Sequence, residues 1–413
     1  MIYFSELENL PTYDAKGAYL GHLVDLCINP SGNPLLVAFY LIKNPGGQVL
    51  CIGHEHFPSI TVRAAQTSVL RGEIAASAPD ESLIRIKKDV LDQQIIDVND
   101  RKVVRVIDVD FDIQPNAKHT DLRIISVSVG WAAAVRRLLQ GAFAKHTVRK
   151  LADLFPPKLI PWEFVNLIEP DPARRVKLRI SYNKLAELHP ADLADILEEL
   201  SRDEQRSVIE SLDDETAAEA VSEISTRMQV ALLDSLPTDR AADIVEEMDP
   251  DEAADVLQEL DPEISAEVLA KMEREEADEV RELLGFEEHT AGGLMTTEFI
   301  MLDETHDVES VIGALKRFDG SVESVHAIYL VDSKGVLTGI VPLAHLLMAD
   351  RGTPLKELRT DQVISVPSYG DEKTVVNMFR KYNLLVLPVV DDSGRILGVV
   401  TGDDVFELLV KDE

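Results

Sequence analysis

Acidic side chains dominate the chemistry this chain can offer. Residues 188–288 hold 33 Asp and Glu against 7 Lys and Arg, most of the net charge of −33 carried by the 413 residues. Closely spaced carboxylates repel, and a hard divalent cation with its preference for oxygen ligands relieves that repulsion. A solvated acidic face is the plain alternative. Nucleic acid is a poor partner, because phosphate binding needs clustered Lys and Arg. His54 and His56 would point the same way on a strand, which suits a metal site. No third ligand lies near them in sequence, so surface or turn histidines are the simpler reading. The chain has no phosphate-cradling glycine loop followed by Lys-Ser/Thr, no His-Glu-x-x-His, and no Ser/His/Asp or Cys/His set. Carboxylate pairs are too common here to select acid–base catalysis, and the chain reads as a non-enzyme.

The elements that carry the acids follow a 12-residue register. Leu200, Leu212, Ile224, Leu236, Met248, Leu260 and Met272 fall 12 apart, each preceded at four and three residues by an apolar pair such as Ile196-Leu197 or Val256-Leu257. An apolar triplet at i, i+1, i+4 makes one face of about two helical turns. Between triplets stand helix starters: Ser201 with Glu204, Asp249-Pro250 with Glu252, and Asp261-Pro262. Seven short helices are predicted, each too short to be stable alone and stacked into a superhelix.

The flanking regions differ. Residues 1 to about 180 read as β-rich, with strands predicted over 17–42 (broken by the turn Pro30–Pro34), 95–113, 123–129, 159–168 and 176–180, and a short helix around Trp131–Leu139. A small barrel-like β architecture is expected. From about 290 to 413 the chain repeats itself at an offset of 59 residues: Asp332 matches Asp391, Gly335 matches Gly394 and Gly339 matches Gly398. Each copy reads as strand, turn, strand, helix, preceded by an amphipathic helix (Val308–Phe318 and Glu372–Tyr382). Cys27 and Cys51 make no disulfide framework, so a reducing compartment is expected. The N-terminus lacks a signal-peptide pattern. The longest apolar run, near 124–135, is about twelve residues where a bilayer needs roughly 20. A cytoplasmic protein with no direct membrane insertion is expected.

Three resemblances follow from these residues. Residues 1–180 resemble a PRC-barrel domain through Gly17…Gly21…Asp25, the stretch from Asp97 to Asp108, and Ile160-Pro161-Trp162. Such domains are mostly docking modules, which implies a protein partner. The repeat at 290–413 resembles a tandem pair of CBS domains, through the Asp-x-x-Gly-x-x-x-Gly turns and Thr401-Gly-Asp-Asp404. That resemblance implies clefts for adenine nucleotides or metal ions, and dimerisation. The order of an acidic helical array followed by this pair is similar to the cytosolic portion of the MgtE family of magnesium channels, from Leu188-His189-Pro190 through Ala291-Gly-Gly-Leu-Met295-Thr296 to the end. The expected fold class is multidomain α+β: a PRC-like β-barrel at 1–180, an all-α acidic superhelix at 181–286, and an α/β tandem CBS pair at 287–413 (about 290–350 and 360–413).

The MgtE resemblance implies regulatory Mg²⁺ bound by carboxylates on two facing domains. On the helical domain Glu219, Asp251 and Asp255 align with such positions, and Asp251 and Asp255, four apart, share a helix face. On the second CBS copy the aligned acids are Asp371, Asp404 and Glu407. Lys373 and Asn383 stand where relatives can supply carboxylates, which weakens part of the site. The family's connecting helix and membrane pore have no counterpart before Glu413, so transport by this chain alone is not expected. For a nucleotide, the resemblance implies ribose binding by a carboxylate three residues after a Ser or Thr. Thr401 and Asp404 keep that pattern in copy two, whereas copy one has His345, which cannot accept both ribose hydroxyls. The leading expectation is a homodimeric regulatory protein that senses Mg²⁺ or another divalent cation and signals to a partner. The alternatives are an adenine-nucleotide-sensing adaptor, or a soluble regulatory subunit of a separately encoded magnesium channel.

Overall fold

The structure, a computed structural model, describes residues 2–29, 35–74, 80–116, 118–139, 145–152, 154–168, 184–318, 320, 325–360 and 362–411. The turn predicted at Pro30–Pro34 and the strand predicted at 176–180 lie outside them. The chain divides into two compact units, Met1–Thr216 and Ala217–Glu413.

The first unit is β-rich. Its strands are β1 (Ile2–Tyr3), β2 (Pro11–Tyr13), β3 (Tyr19–Ile28), β4 (Val37–Lys43), β5 (Val49–Gly53), β6 (Ser59–Ile60), β7 (Ala65–Gln66), β8 (Ile84–Arg85), β9 (Gln94–Asp97), β10 (Lys102–Arg105), β11 (Asp108–Pro115), β12 (Thr120–Ser128), β13 (Leu159–Pro161) and β14 (Val165–Leu167). They form three sheets, ordered β5-β4-β3-β2-β7-β6 with β8 on β3, β1-β11-β12-β13, and β10-β9-β14. The sheets enclose one core that includes Phe4, Leu26, Tyr40, Phe57, Phe111 and Val127. The barrel-like expectation is met by a half-barrel. Helices α1 (Phe4–Leu7), α2 (Trp131–Leu138) and α3 (Lys145–Ala152) accompany the sheets.

The acidic motif residues of this region are structural pins. Buried Asp25 accepts from Leu26 N and Lys87 N (2.8 and 2.7 Å) and from Arg85 Nε (3.1 Å), tying the segment after β8 to β3. Asp108 accepts from the amide and hydroxyl of Ser5. Gly21 is required by close approach, since a Cβ there would stand 2.2 Å from the Lys43 carbonyl oxygen. His54 and His56 lie in a single 3₁₀ turn, His54–His56, and not on a strand. Two residues along a 3₁₀ turn is about two-thirds of a revolution, so the rings diverge.

The acidic array begins in the first unit with α4 (Pro190–Glu199) and α5 (Arg202–Ile209), and α6 (Asp214–Ser222) straddles the division. The second unit continues with α7 (Thr226–Leu233), α8 (Thr238–Glu246), α9 (Pro250–Glu259), α10 (Pro262–Lys271) and α11 (Arg274–Leu283). The last of these is an eighth helix beyond the seven predicted. Every residue of the seven apolar triplets is buried except half-exposed Leu269. Ser201 and Glu204 form the expected capping box, and Asp261 accepts from Glu263 N (2.9 Å). A doubled period is superimposed. Gln205 Nε2 donates to Leu197 O (2.8 Å), and Gln229, 24 residues on, donates to Val221 O (2.9 Å). Ser211 and Ser235 repeat at the same interval, donating to Val208 O and Leu232 O (both 2.7 Å). Buried glutamines thus add a side-chain donor to last-turn carbonyls whose backbone donors are the cap amides of Leu200 and Ile224 (3.1 and 3.3 Å).

The C-terminal half of the second unit repeats a parallel-then-antiparallel sheet. Copy one is β15 (Met301–Asp303), α12 (Val308–Leu315), β16 (Ala327–Val331), β17 (Leu337–Pro342) and α13 (Leu343–Leu347). Copy two is β18 (Val366–Pro367), α14 (Glu372–Tyr382), β19 (Val386–Val390), β20 (Ile396–Thr401) and α15 (Gly402–Lys411). The 59-residue offset survives in detail. The register shifts fall between Leu330/Val331 and Val389/Val390. Asp332 caps its turn from Lys334 N and Val336 N, and Asp391 does so from Ser393 N and Arg395 N. Gly335 and Gly394 have φ of +79° and +78°, the left-handed conformation that both turns need. Equivalent residues Val336 and Arg395 pair as a bridge between the copies.

Candidate functional site

Two helix starts in the second unit bring carboxylates together. At the head of α9, Asp249 is the N-cap, Pro250 occupies the first helical position and Asp251 and Glu252 follow. At the head of α15, Thr401 is followed by Asp403 and Asp404. Asp404 Oδ2 accepts from Thr401 N (3.0 Å) and Thr401 Oγ1 (2.6 Å), the return half of a capping box. Glu252 accepts from the Ser222 hydroxyl on α6.

The electrostatics of this cluster are unfavourable without a counter-charge. Burial, followed by the charges of Asp404, Glu252 and Asp249, pushes the Asp251 carboxyl well above the usual carboxylate range. Burial, then the charge of Asp403, raises Asp249. The Asp251 side chain is half-buried as a whole, yet its Oδ1 has no solvent access and no hydrogen-bond partner. A buried carboxylate oxygen beside other carboxylates takes up a proton or a cation. The donors are all hard oxygens, and Mg²⁺ is held by one or two carboxylates while it keeps several waters. The residues therefore fit a hard divalent cation.

The other sequence-derived candidates lie apart from this cluster or have local duties. Glu219 on α6 and Asp255 on α9 are exposed. Asp255 contributes, after Glu372 and Glu288, to the raised pKa of His289, whose Nδ1 lies 2.7 Å from Glu372 Oε1. Asp371 is the N-cap of α14 and accepts from Thr374 N (2.8 Å), and hydrogen bonds from the Thr374 side chain and backbone hold its pKa down. Glu407 is on α15, with its side chain outside the described residues. Lys373 is exposed on α14. Asn383 closes α14 in the left-handed conformation, φ +51°, where Asn is favoured over other side chains. In copy one, His345 lies on the short helix α13 with Nδ1 3.1 Å from Leu358 O, and no side chain caps α13 as Asp404 does α15. Sequence reading passed over Asp249, Glu252 and Asp403. Their signal was the runs Asp-Pro-Asp-Glu at 249–252 and Gly-Asp-Asp at 402–404, each at a helix start.

An acidic array of short helices joined to a tandem CBS module defines the class of protein. Residues 188–289 match the MgtE intracellular N domain, and residues 291–352 and 355–411 match the CBS domain. Over this region the chain belongs to the family of the MgtE cytosolic domain. It is similar to the magnesium transporter MgtE of Thermus thermophilus, 40% identical over 131 residues, 32% of this chain and 29% of the relative. It is also similar to the magnesium transporter MgtE of Enterococcus faecalis, 34% identical over 131 residues with the same shares. The matched stretch thus spans less than a third of these relatives. Among solved structures it resembles the cytosolic domain of the Mg²⁺ channel MgtE in complex with ATP, 36% identical, TM-score 0.53, covering 56% of this chain and 94% of that one. The soluble part of a magnesium transporter gives 28% identity and a TM-score of 0.53, over 58% and 93% of the two chains. Among the described residues no helix is long and apolar enough to cross a membrane.

Proposed function

We propose that this chain is a non-enzymatic regulatory module that senses Mg²⁺ through carboxylates shared by its helical array and its CBS pair. The observation that carries this reading is the buried, unpartnered Oδ1 of Asp251 in the field of Asp404. Cation binding there offsets repulsion between the heads of α9 and α15 and holds the helical array against the second CBS copy. The working ligand set is Asp251 and Asp404, with Asp249 and Asp403 beside them and Glu219, Asp255, Asp371 and Glu407 as outer acids. Three domains, 1–180, 181–286 and 287–413, divide the work. Residues 1–180, PRC-barrel-like, dock a protein partner, and the CBS pair makes a homodimer in the cytoplasm. A magnesium channel fits as that partner, given the relatives named above.

The test is a Mg²⁺ titration of the chelator-treated chain up to about 20 mM, the range of open carboxylate sites, followed by thermal melting and X-ray scattering. A rise in melting temperature with compaction, both weakened in Asp251→Asn, is the expected result. No change in either sinks the reading. A second reading, nucleotide sensing, is supported by the Thr401–Asp404 pair and by the ATP complex of the related cytosolic domain. Calorimetry with ATP, ADP and AMP separates them: tight, Mg²⁺-independent binding lost in Asp404→Ala favours the nucleotide.

A further inference from the structure

The first unit holds a second donor cluster, chemically unlike the acidic one. His54, His119 and Asp121 each offer a ligand atom, and these three atoms lie within 4.8 Å of one another. His119 Nε2 is 3.1 Å from Asp121 Oδ1, and His54 Nε2 is 3.9 Å from the same oxygen. The two imidazoles meet edge to face with centroids 5.4 Å apart. His54 opens the turn after β5, whereas His119 and Asp121 flank the first residue of β12. That residue, Thr120, fastens the two pieces: its amide donates to Phe57 O (2.8 Å) and its hydroxyl to Pro58 O (3.1 Å). The two chain segments that carry the donors are therefore fastened to each other.

Two further observations point to a ligand. Asp121 Oδ1 is buried and makes no hydrogen bond of acceptable geometry, despite its closeness to His119 Nε2. The Tyr40 hydroxyl is also buried without a partner, on a side chain 1% exposed, and burial followed by the Asp121 charge pushes its pKa up. The charge of Asp121 thus acts on a second orphaned polar atom, the Tyr40 hydroxyl. The outer contacts suit a metal ligand as well. His54 Nδ1 is 3.4 Å from Ala38 O, and donation to that carbonyl leaves the Nε2 lone pair facing Asp121.

We propose that His54, His119 and Asp121 bind one divalent transition-metal ion of the zinc type. Imidazole with a single carboxylate suits Zn²⁺ and its first-row neighbours, whereas Mg²⁺ needs an oxygen shell. Tetrahedral Zn²⁺ at about 2.0–2.1 Å from its ligands holds them about 3.3 Å apart, so modest inward rotation of His54 completes three corners. The fourth position is left for water. His56 takes no part, since the cluster of converging ligand atoms comprises His54, His119 and Asp121 without it.

The test uses the full chain, stripped by chelator, with Zn²⁺ as the probe and about 10 mM Mg²⁺ present to fill oxygen-only sites. One Zn²⁺ per chain retained in calorimetry is expected. His54→Gln, His119→Gln and Asp121→Asn should each weaken it at least about 10-fold, and His56→Gln should leave it unchanged. His54→Gln separates a metal site from a mere His119–Asp121 ion pair, because it leaves that pair intact. On the wild type, Co²⁺ should give the intense visible absorption of a four-coordinate ion, which needs no variant to fold. The proposal is overturned if no Mg²⁺-resistant Zn²⁺ is retained, if Co²⁺ stays octahedral, or if His54→Gln binds like wild type.

Discussion

Asp404 presses on the buried carboxyl of Asp251 more strongly than any other charged group does. The two residues start different helices 153 positions apart in the chain, and each helix aims its positive end at the cluster. The dipoles soften the repulsion without removing it, because Asp251 Oδ1 still lacks a partner. Asp251→Asn removes the charge and keeps the shape. In Mg²⁺-free buffer at neutral pH it should stabilise the protein by of order 1 kcal/mol, the relief of an uncompensated buried charge. In Mg²⁺ the order should reverse, since the wild type alone gains binding energy there. The sign with pH follows from the raised folded pKa. The wild type gains stability as pH falls from neutrality towards 3.8, because the folded state binds the proton more tightly. The difference between wild-type and variant melts, in chelator and in Mg²⁺, reads all three effects.

Asp110 offers a second pH signature, confined to the first unit. Its oxygens accept from Ser126 Oγ (2.7 Å) and Ser128 Oγ (2.9 Å), but burial outweighs these bonds and raises its pKa to about 6. Folded Asp110 therefore holds its proton better than the unfolded chain does. Its contribution is most unfavourable above about pH 6 and is relieved as pH falls from there towards 3.8. Asp110→Asn should stabilise by on the order of 2 kcal/mol at about pH 8 and by roughly half as much at about pH 5, the gain vanishing only below 3.8. Urea melts at the two pH values check it, and equal gains at both would contradict the assignment.

The features of this architecture legible in the sequence are those written as local periods. The triplets from Ile196-Leu197 to Met272 are core residues, and only Leu269, near the end of the array, is half-exposed. The 59-residue offset extends to matching turn caps at Asp332 and Asp391. What no period encodes is contact across the chain. His54 meets His119 because Thr120 bonds to Phe57 and Pro58, and no spacing between residues 54 and 119 announces it. The rings of His54 and His56, two apart, diverge for the same reason that a turn is not a strand. Among the acids, sequence cannot tell a capping carboxylate such as Asp371 from one left without a partner such as Asp251, because both stand at a helix start. The 24-residue recurrence of Gln205 and Gln229 is equally regular, but glutamines fall outside the apolar faces that define the helices.

That recurrence makes its own prediction. Gln229 Nε2 reaches both Val221 O (2.9 Å) and Ser222 O (3.1 Å), capping the end of α6 from within α7. Gln229→Leu keeps the bulk but removes the side-chain donor of Ser222 O and leaves Val221 O with only the 3.3 Å bond from Ile224 N. The cost should be about 1–3 kcal/mol, the penalty of an unsatisfied buried polar group. Gln229→Glu should be worse at neutral pH, because a carboxylate cannot donate to a carbonyl. Denaturant melts of both variants rank them. If Gln229→Leu is neutral, the glutamine is only filling space.

Within the first unit, the start of the helical array is latched to the β-rich region. Glu199 Oε2, at the end of α4, accepts from the Val103 amide of β10 (3.0 Å), and Arg101 Nη1 lies 2.7 Å from Asp192 Oδ2. The two contacts differ in kind. Arg101 is more than half exposed, so screening by water limits its pair to under about 1 kcal/mol. The Glu199 bond is charge-assisted and occupies an edge-strand amide that would otherwise face solvent, as β10 ends its sheet. Glu199→Ala should cost about 1 kcal/mol and speed amide exchange at Val103. Arg101→Ala should cost less, and its effect should fade in about 0.5 M salt. Hydrogen exchange read at Val103 in the two variants separates the contributions. If Glu199→Ala leaves the Val103 amide as protected as in wild type, the latch is not made by this carboxylate.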